Sequence, residues 1–96
     1  MIGVIATLTV QAGKELEFEE IFGDLSQAVR TNEPGNHLYQ LTKVKTGEAI
    51  YKVLEIYADQ DALSHHGKTD YFRAAGAKLG AVLAAAPVIE YLDTVG

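Results

Sequence analysis

The chain contains no cysteine, a single methionine and only two prolines. The lack of cysteine excludes disulfides, thiolate nucleophiles and the stronger zinc motifs, and it fits a reducing, cytoplasmic setting. Positive charge is also scarce. Eight Lys plus Arg stand against thirteen Asp plus Glu, for a net charge of −5 and a pI of about 5.0. The cations are scattered at 14, 30, 43, 45, 52, 68, 73 and 78 with no basic run. Phosphate backbones are held by clustered positive charge, so a nucleic-acid partner is not expected. No window approaches the ~20 apolar residues a membrane span requires, so no membrane partner is expected either. The start "MIGVIATLTV" lacks the basic lead and small-residue cleavage site of a signal peptide.

What remains is one domain, residues 1–96, of ordinary globular composition, 48% hydrophobic and 22% charged. A chain this short buries little more than ~60% of its unfolded surface, so its own core is marginal. The apolar content is generous for that size. Either the core is unusually complete or some apolar surface faces a partner.

Residues 2–10, "IGVIATLTV", alternate as a strand with Ile2, Val4, Ala6, Leu8 and Val10 on one face. Residues 14–32 place Phe18, Ile21, Phe22, Leu25, Ala28 and Val29 at helical spacing, with acids crowding the first turns at the positive end of the dipole. Pro34 and Gly35 end that helix. Two strands follow, about 36–45 and 48–58, joined by "TG" at 46–47 as a tight hairpin. "DQDALSHH" reads as a short helical turn capped by Asp59. Thr69 caps a longer helix that buries Phe72, Ala75, Leu79, Val82, Leu83 and Ala86 before Pro87 stops it. "VIEYLDTV" (88–95) closes as a strand.

The order β-α-β-β-α-β is the ferredoxin-like α+β arrangement: a four-stranded antiparallel sheet with helices on one face. The other face is left uncovered. In the third strand Ile50, Leu54 and Ile56 lie on one side and Tyr51, Val53 and Tyr57 on the other, both too apolar for water. Alternation does not say which side meets the helices. A homodimer packed sheet to sheet, forming a dimeric α/β barrel, is the simplest closure.

The same element order, with "EPGNHLYQL" after the first helix and "VLEIYADQDALSHHGKTDYF" across the third strand and elbow, resembles the antibiotic biosynthesis monooxygenase family. These are small dimeric α+β barrel proteins that include quinol monooxygenases. The family pattern is a Glu-x-Gly turn into a strand, then Glu-x-Trp at the end of the third strand. A His follows, then Thr or Ser, then an aromatic or His-Phe pair. The matching positions are Glu33 and Gly35, Glu55 and Tyr57, His66, Thr69, and Tyr71 with Phe72. Tyr57 replaces the usual Trp, and Tyr71 replaces a second His carried by many relatives. Haem-degrading relatives use an Asn, a Trp and a His. This chain has no Trp, and Gly76 stands where their helix His is sought.

The resemblance implies oxidation of a small aromatic, quinol-like or polyketide-like phenol by molecular oxygen, without flavin or metal. Such chemistry needs a base near neutrality, an apolar pocket and donors for a developing oxyanion. His66 is the base candidate by family position and by its side chain's natural range. Its neighbour His65 is rotated ~100° away on a helix, so the two cannot face one pocket, nor form the same-face pair of zinc motifs. The bland reading is that either one merely ends the turn before Gly67. Tyr39, Tyr57 and Tyr71 are expected to stack on or hydrogen-bond a planar substrate, or else to fill the core. Phe72 joins them by family position. Arg73 would hold an anionic substrate or simply be solvated, and His37 would line the pocket mouth or be exposed. Glu55, inside an apolar strand, needs a partner: an ion pair, perhaps across a dimer, or a catalytic group that it orients. The small residues of "GAKLGAVLAAA" leave room for a ligand or permit close helix packing. Two other functions fit the same residues: a non-catalytic dimeric binding or stress-response barrel, and an isomerase of a small carbonyl compound.

Overall fold

A computed structural model describes every residue from Met1 to Gly96. Its elements are β1 (Ile2–Thr9), α1 (Glu15–Asn32), β2 (Asn36–Lys43), β3 (Ile50–Tyr57), α2 (Gln60–Lys68), α3 (Asp70–Leu79) and β4 (Val88–Asp93). The strands form one sheet in the order β2-β3-β1-β4, with every neighbouring pair antiparallel. This is the ferredoxin-like α+β fold. No helix is long and apolar enough to cross a membrane.

The register settles which face meets the helices. Val4 lies opposite Glu55 and Tyr91, Ala6 opposite Val53 and Ile89, and Leu8 opposite Tyr51. Directly opposed residues share a face, so these side chains point together toward α1, where Phe18, Phe22, Leu25 and Val29 complete the core. Ile5, Leu54 and Ile56 occupy the other face and are half-buried, while Leu38 and Leu92 on its flanking strands are exposed.

Three boundaries differ from the sequence expectation. The β2–β3 connection spans residues 44–49 rather than a two-residue turn, with Gly47 at φ +87°. Val10 N–H donates to the Ala49 carbonyl at 2.8 Å, so the residues before β3 serve the end of β1 instead of extending the hairpin. The "DQDALSHH" turn is a full nine-residue helix; the Asp59 carboxylate accepts from Ala62 N–H at its start, as expected.

The third difference is at the last helix, which stops at Leu79 rather than running on to Ala86. Gly80 follows, a poor helix residue, and the next segment binds β1. Gln11 N–H donates to the Val82 carbonyl and Ala84 N–H to that of Thr9. The Gln11 amide donates to the carbonyls of Ala81 and Leu83. Val82 is buried by this route, whereas Ala86 is exposed.

Candidate active site

Between the inner sheet face and the three helices lies a cavity of about 440 Å³, within the range of small-molecule sites. Its sheet wall is Val4, Ala6, Leu8 and Val53, with Phe22 and Leu25 from α1 and Leu63 from α2. Polar side chains also line it: Tyr39 from β2, Glu55 from β3, Gln60, Ser64 and His66 from α2, and Tyr91, beside Ile89, from β4.

His66 is held from three directions. It lies on the inner face of α2 and is only 4% exposed. Its Nδ1 is 3.1 Å from each carboxylate oxygen of Glu33, itself 5% exposed at the turn closing α1. The Tyr71 hydroxyl donates to that same carboxylate from α3. The backbone reinforces the junction. The Thr69 hydroxyl donates to the His66 carbonyl at 2.9 Å and accepts from Phe72 N–H, so one residue ends α2 and starts α3. Gly35 is required nearby, because a Cβ there would come within 2.6 Å of the Ala62 Cβ. That close approach presses the Glu33 turn against α2.

Glu55 is 8% exposed, and its Oε1 accepts from the Tyr57 hydroxyl at 2.6 Å. No buried side-chain nitrogen or oxygen in the chain is left without a partner. The Nε2 of His66, the Oε2 of Glu55 and the Tyr39 hydroxyl bond to no protein group. Each therefore keeps some accessible surface, and all three residues line the cavity. Burial pushes the Glu55 carboxyl up to about 7; the Tyr57 hydrogen bond lowers it in part, and the charge of Glu33 raises it further. Burial, with the nearby carboxylates adding to it, drives the Tyr39 and Tyr57 phenols far above their ordinary range, so both stay neutral donors. Tyr71 is pushed up to about 12 by burial and by its bond to Glu33.

The chain belongs to the antibiotic biosynthesis monooxygenase family. The family model of that description matches residues 1–78, which carry the cavity lining except Leu79, Ile89 and Tyr91. None of the curated proteins matches the chain. Among solved structures, a Caulobacter crescentus protein provisionally named as such a monooxygenase is 62% identical. That match covers 99% of this chain and 90% of the other, with a TM-score of 0.96. Similarly named proteins from Nitrosomonas europaea (18% identity, 100% of both chains, TM-score 0.90) and Deinococcus radiodurans (18%, 100% and 94%, 0.90) share the fold.

Within this family member the expected site residues separate into two sets. Tyr39, His66 and Phe72 line the cavity, with the Phe72 ring 4.6 Å from that of His66. Tyr57 does not: it is fully buried behind the wall, 5.4 Å from His66 ring to ring, with its hydroxyl committed to Glu55. The Tyr71 ring borders a separate groove of about 600 Å³ between α1 and α3. Arg73 is exposed and lines neither space. His37 is exposed at the irregularity where β2 register shifts between Asn36 and Leu38, and His65 is exposed on the outer side of α2.

The sequence reading treated Glu33 only as part of a turn, yet it is the group that grips His66. For Glu55 the expectation was an ion pair, perhaps across a dimer, or a catalytic group that it orients; within the chain its hydrogen-bond partner is Tyr57, two residues on along the same strand face. No three His, Cys, Asp or Glu side chains converge as metal ligands.

Proposed function

We propose that this protein is a cofactor-independent monooxygenase acting on a quinol or a similar electron-rich phenol. The observation that carries the reading is the unpartnered Nε2 of a buried histidine that lines a mostly apolar cavity, beside a neutral phenol donor and a carboxyl group pushed up to about 7. His66 takes a phenolic proton at Nε2, giving an electron-rich anion. The anion passes one electron to O₂, and the ring radical and superoxide combine to form a carbon–oxygen bond. The peroxide takes the proton back from His66. Loss of the ring hydrogen and cleavage of the O–O bond then release water and leave a carbonyl. For a quinol the sum is quinol plus O₂ giving hydroxyquinone plus water, four electrons leaving the ring. Tyr39 donates to the developing oxyanion, and the apolar walls keep the radical pair from water.

The reading includes a homodimer through the outer sheet face, where Ile5, Leu38, Leu54, Ile56 and Leu92 form an apolar surface that a second copy would cover. Oxygen uptake with a panel of hydroquinones tests the chemistry. Turnover is expected, and His66→Ala is expected to lower kcat by ~100-fold or more. Unchanged turnover in that variant removes His66 as the base. Sedimentation equilibrium tests the dimer, and a monomer at micromolar concentration refutes it.

A further inference from the structure

We infer that Glu33 and Tyr71 are positioning residues which lock His66 in one tautomer, with Nδ1 protonated and Nε2 bare toward the cavity; this rests on His66 acting as the base. Glu33 is a buried carboxylate with no cation beside it, since the nearby Arg30 guanidinium is spent on the Tyr39 carbonyl at 2.8 Å. An ionised carboxylate only accepts hydrogen bonds, and burying one requires donors to replace water. Two groups reach it: the Tyr71 hydroxyl, which donates, and Nδ1 of His66, equidistant from both oxygens. Nδ1 must therefore carry the hydrogen. The second ring nitrogen is left with its lone pair, and the carboxylate stands ready to stabilise the imidazolium once a proton arrives.

The arrangement is built from three separate elements, the end of α1, α2 and α3, and each fixes a different degree of freedom. Glu33 sets the ring plane. Tyr71 stops the carboxylate from turning away. Thr69 clamps the His66 carbonyl to the start of α3. The other titratable groups around the ring are Tyr39, Tyr57 and Glu55 on the sheet. None of them bonds to His66, so the tautomer depends on Glu33 alone. Tyr71 lines the α1–α3 groove rather than the cavity and touches no substrate. Its effect must pass through Glu33.

The test uses the full chain labelled with ¹⁵N, with the His66 ring resonances identified by their loss in His66→Ala. At a pH where the ring is neutral, Nδ1 is expected to be protonated and Nε2 bare. In Glu33→Gln an amide donor competes with the carbonyl oxygen at the same place, and the two tautomers are expected to mix. Where turnover is measurable, Tyr71→Phe is expected to lower kcat about tenfold, the scale of one hydrogen bond to a charged group. KM should stay within about twofold, because no cavity contact is lost. His37→Ala and His65→Ala should change neither. An Nε2-protonated ring in the unmodified chain overturns the inference, as do ring resonances unmoved by Glu33→Gln or a Tyr71→Phe effect confined to KM. The nitrogen spectra decide it even if no quinol is turned over, an outcome that would count against the proposed reaction alone.

Discussion

On the α2 side of the cavity each buried polar group is answered by another: His66 by Glu33, Glu33 by Tyr71, Glu55 by Tyr57. On the β4 side the wall is Ile89 and Tyr91, 43% and 65% exposed, on a strand that pairs only with β1. The first wall is complete within one chain, because its members come from the end of α1, two helices and the central strand β3. The second is thin, because no helix packs over the edge strand. The chemistry-bearing part of the site is thus intramolecular, while its enclosure along β4 is unfinished in a single copy. Whether the two sides differ as much in energy as they do in structure is open to measurement.

The largest effect is expected at Glu55. Its folded-state pKa of about 7 lies above the ordinary 4.5, so folding favours the neutral carboxyl. That contribution is fully present below pH 4.5 and is lost as the pH rises toward 7. Glu55→Gln stays neutral throughout and keeps an oxygen for the Tyr57 hydroxyl. The variant should match the parent near pH 4.5 and exceed it at pH 8 by roughly 3 kcal/mol. Urea unfolding at the two pH values checks this. Equal stability at pH 8 would mean that the cavity hydrates the carboxylate as well as bulk water does.

Next is Gly35→Ala. A methyl group 2.6 Å from the Ala62 Cβ must push the α1–β2 turn and α2 apart, and such overpacking costs about 1–3 kcal/mol. The displacement falls between Glu33 and His66. The same variant should therefore shift the His66 ring resonances, whereas a purely local strain would leave them in place.

Much of this was legible in the chain. The strand periodicity, the acidic start of α1 and the caps at Asp59 and Thr69 each act over a few residues, and each led to the right element. Helix geometry said only that His65 and His66 could not both face one pocket; the family resemblance pointed to His66, and His66 is the buried one. Glu55 and Tyr57 were readable as neighbours, being two apart on a strand. The Glu33–His66 contact was not, since the residues are 33 apart and nothing local marks Glu33 as buried. The end of the last helix was hidden for a similar reason. Helical spacing continues through Val82 and Leu83, but the end of β1 offers their backbone groups partners from 70 residues away.

The smallest effect in a dilute sample is expected on the β4 side, and its size should depend on concentration. Leu92 is 41% exposed on the outer sheet face, opposite Gly3. In an isolated chain Leu92→Lys removes little burial, and surface changes of this kind stay within about 0.5 kcal/mol. If a second copy covers that face, the lysine is instead forced into an apolar interface. Association then weakens, and the parent gains stability with concentration while the variant does not. Thermal unfolding of both proteins over a hundredfold concentration range separates the cases. Curves that diverge with concentration mean that a partner covers the outer face of β4. Curves that remain parallel mean that Leu92 and the outer face around it stay open to solvent.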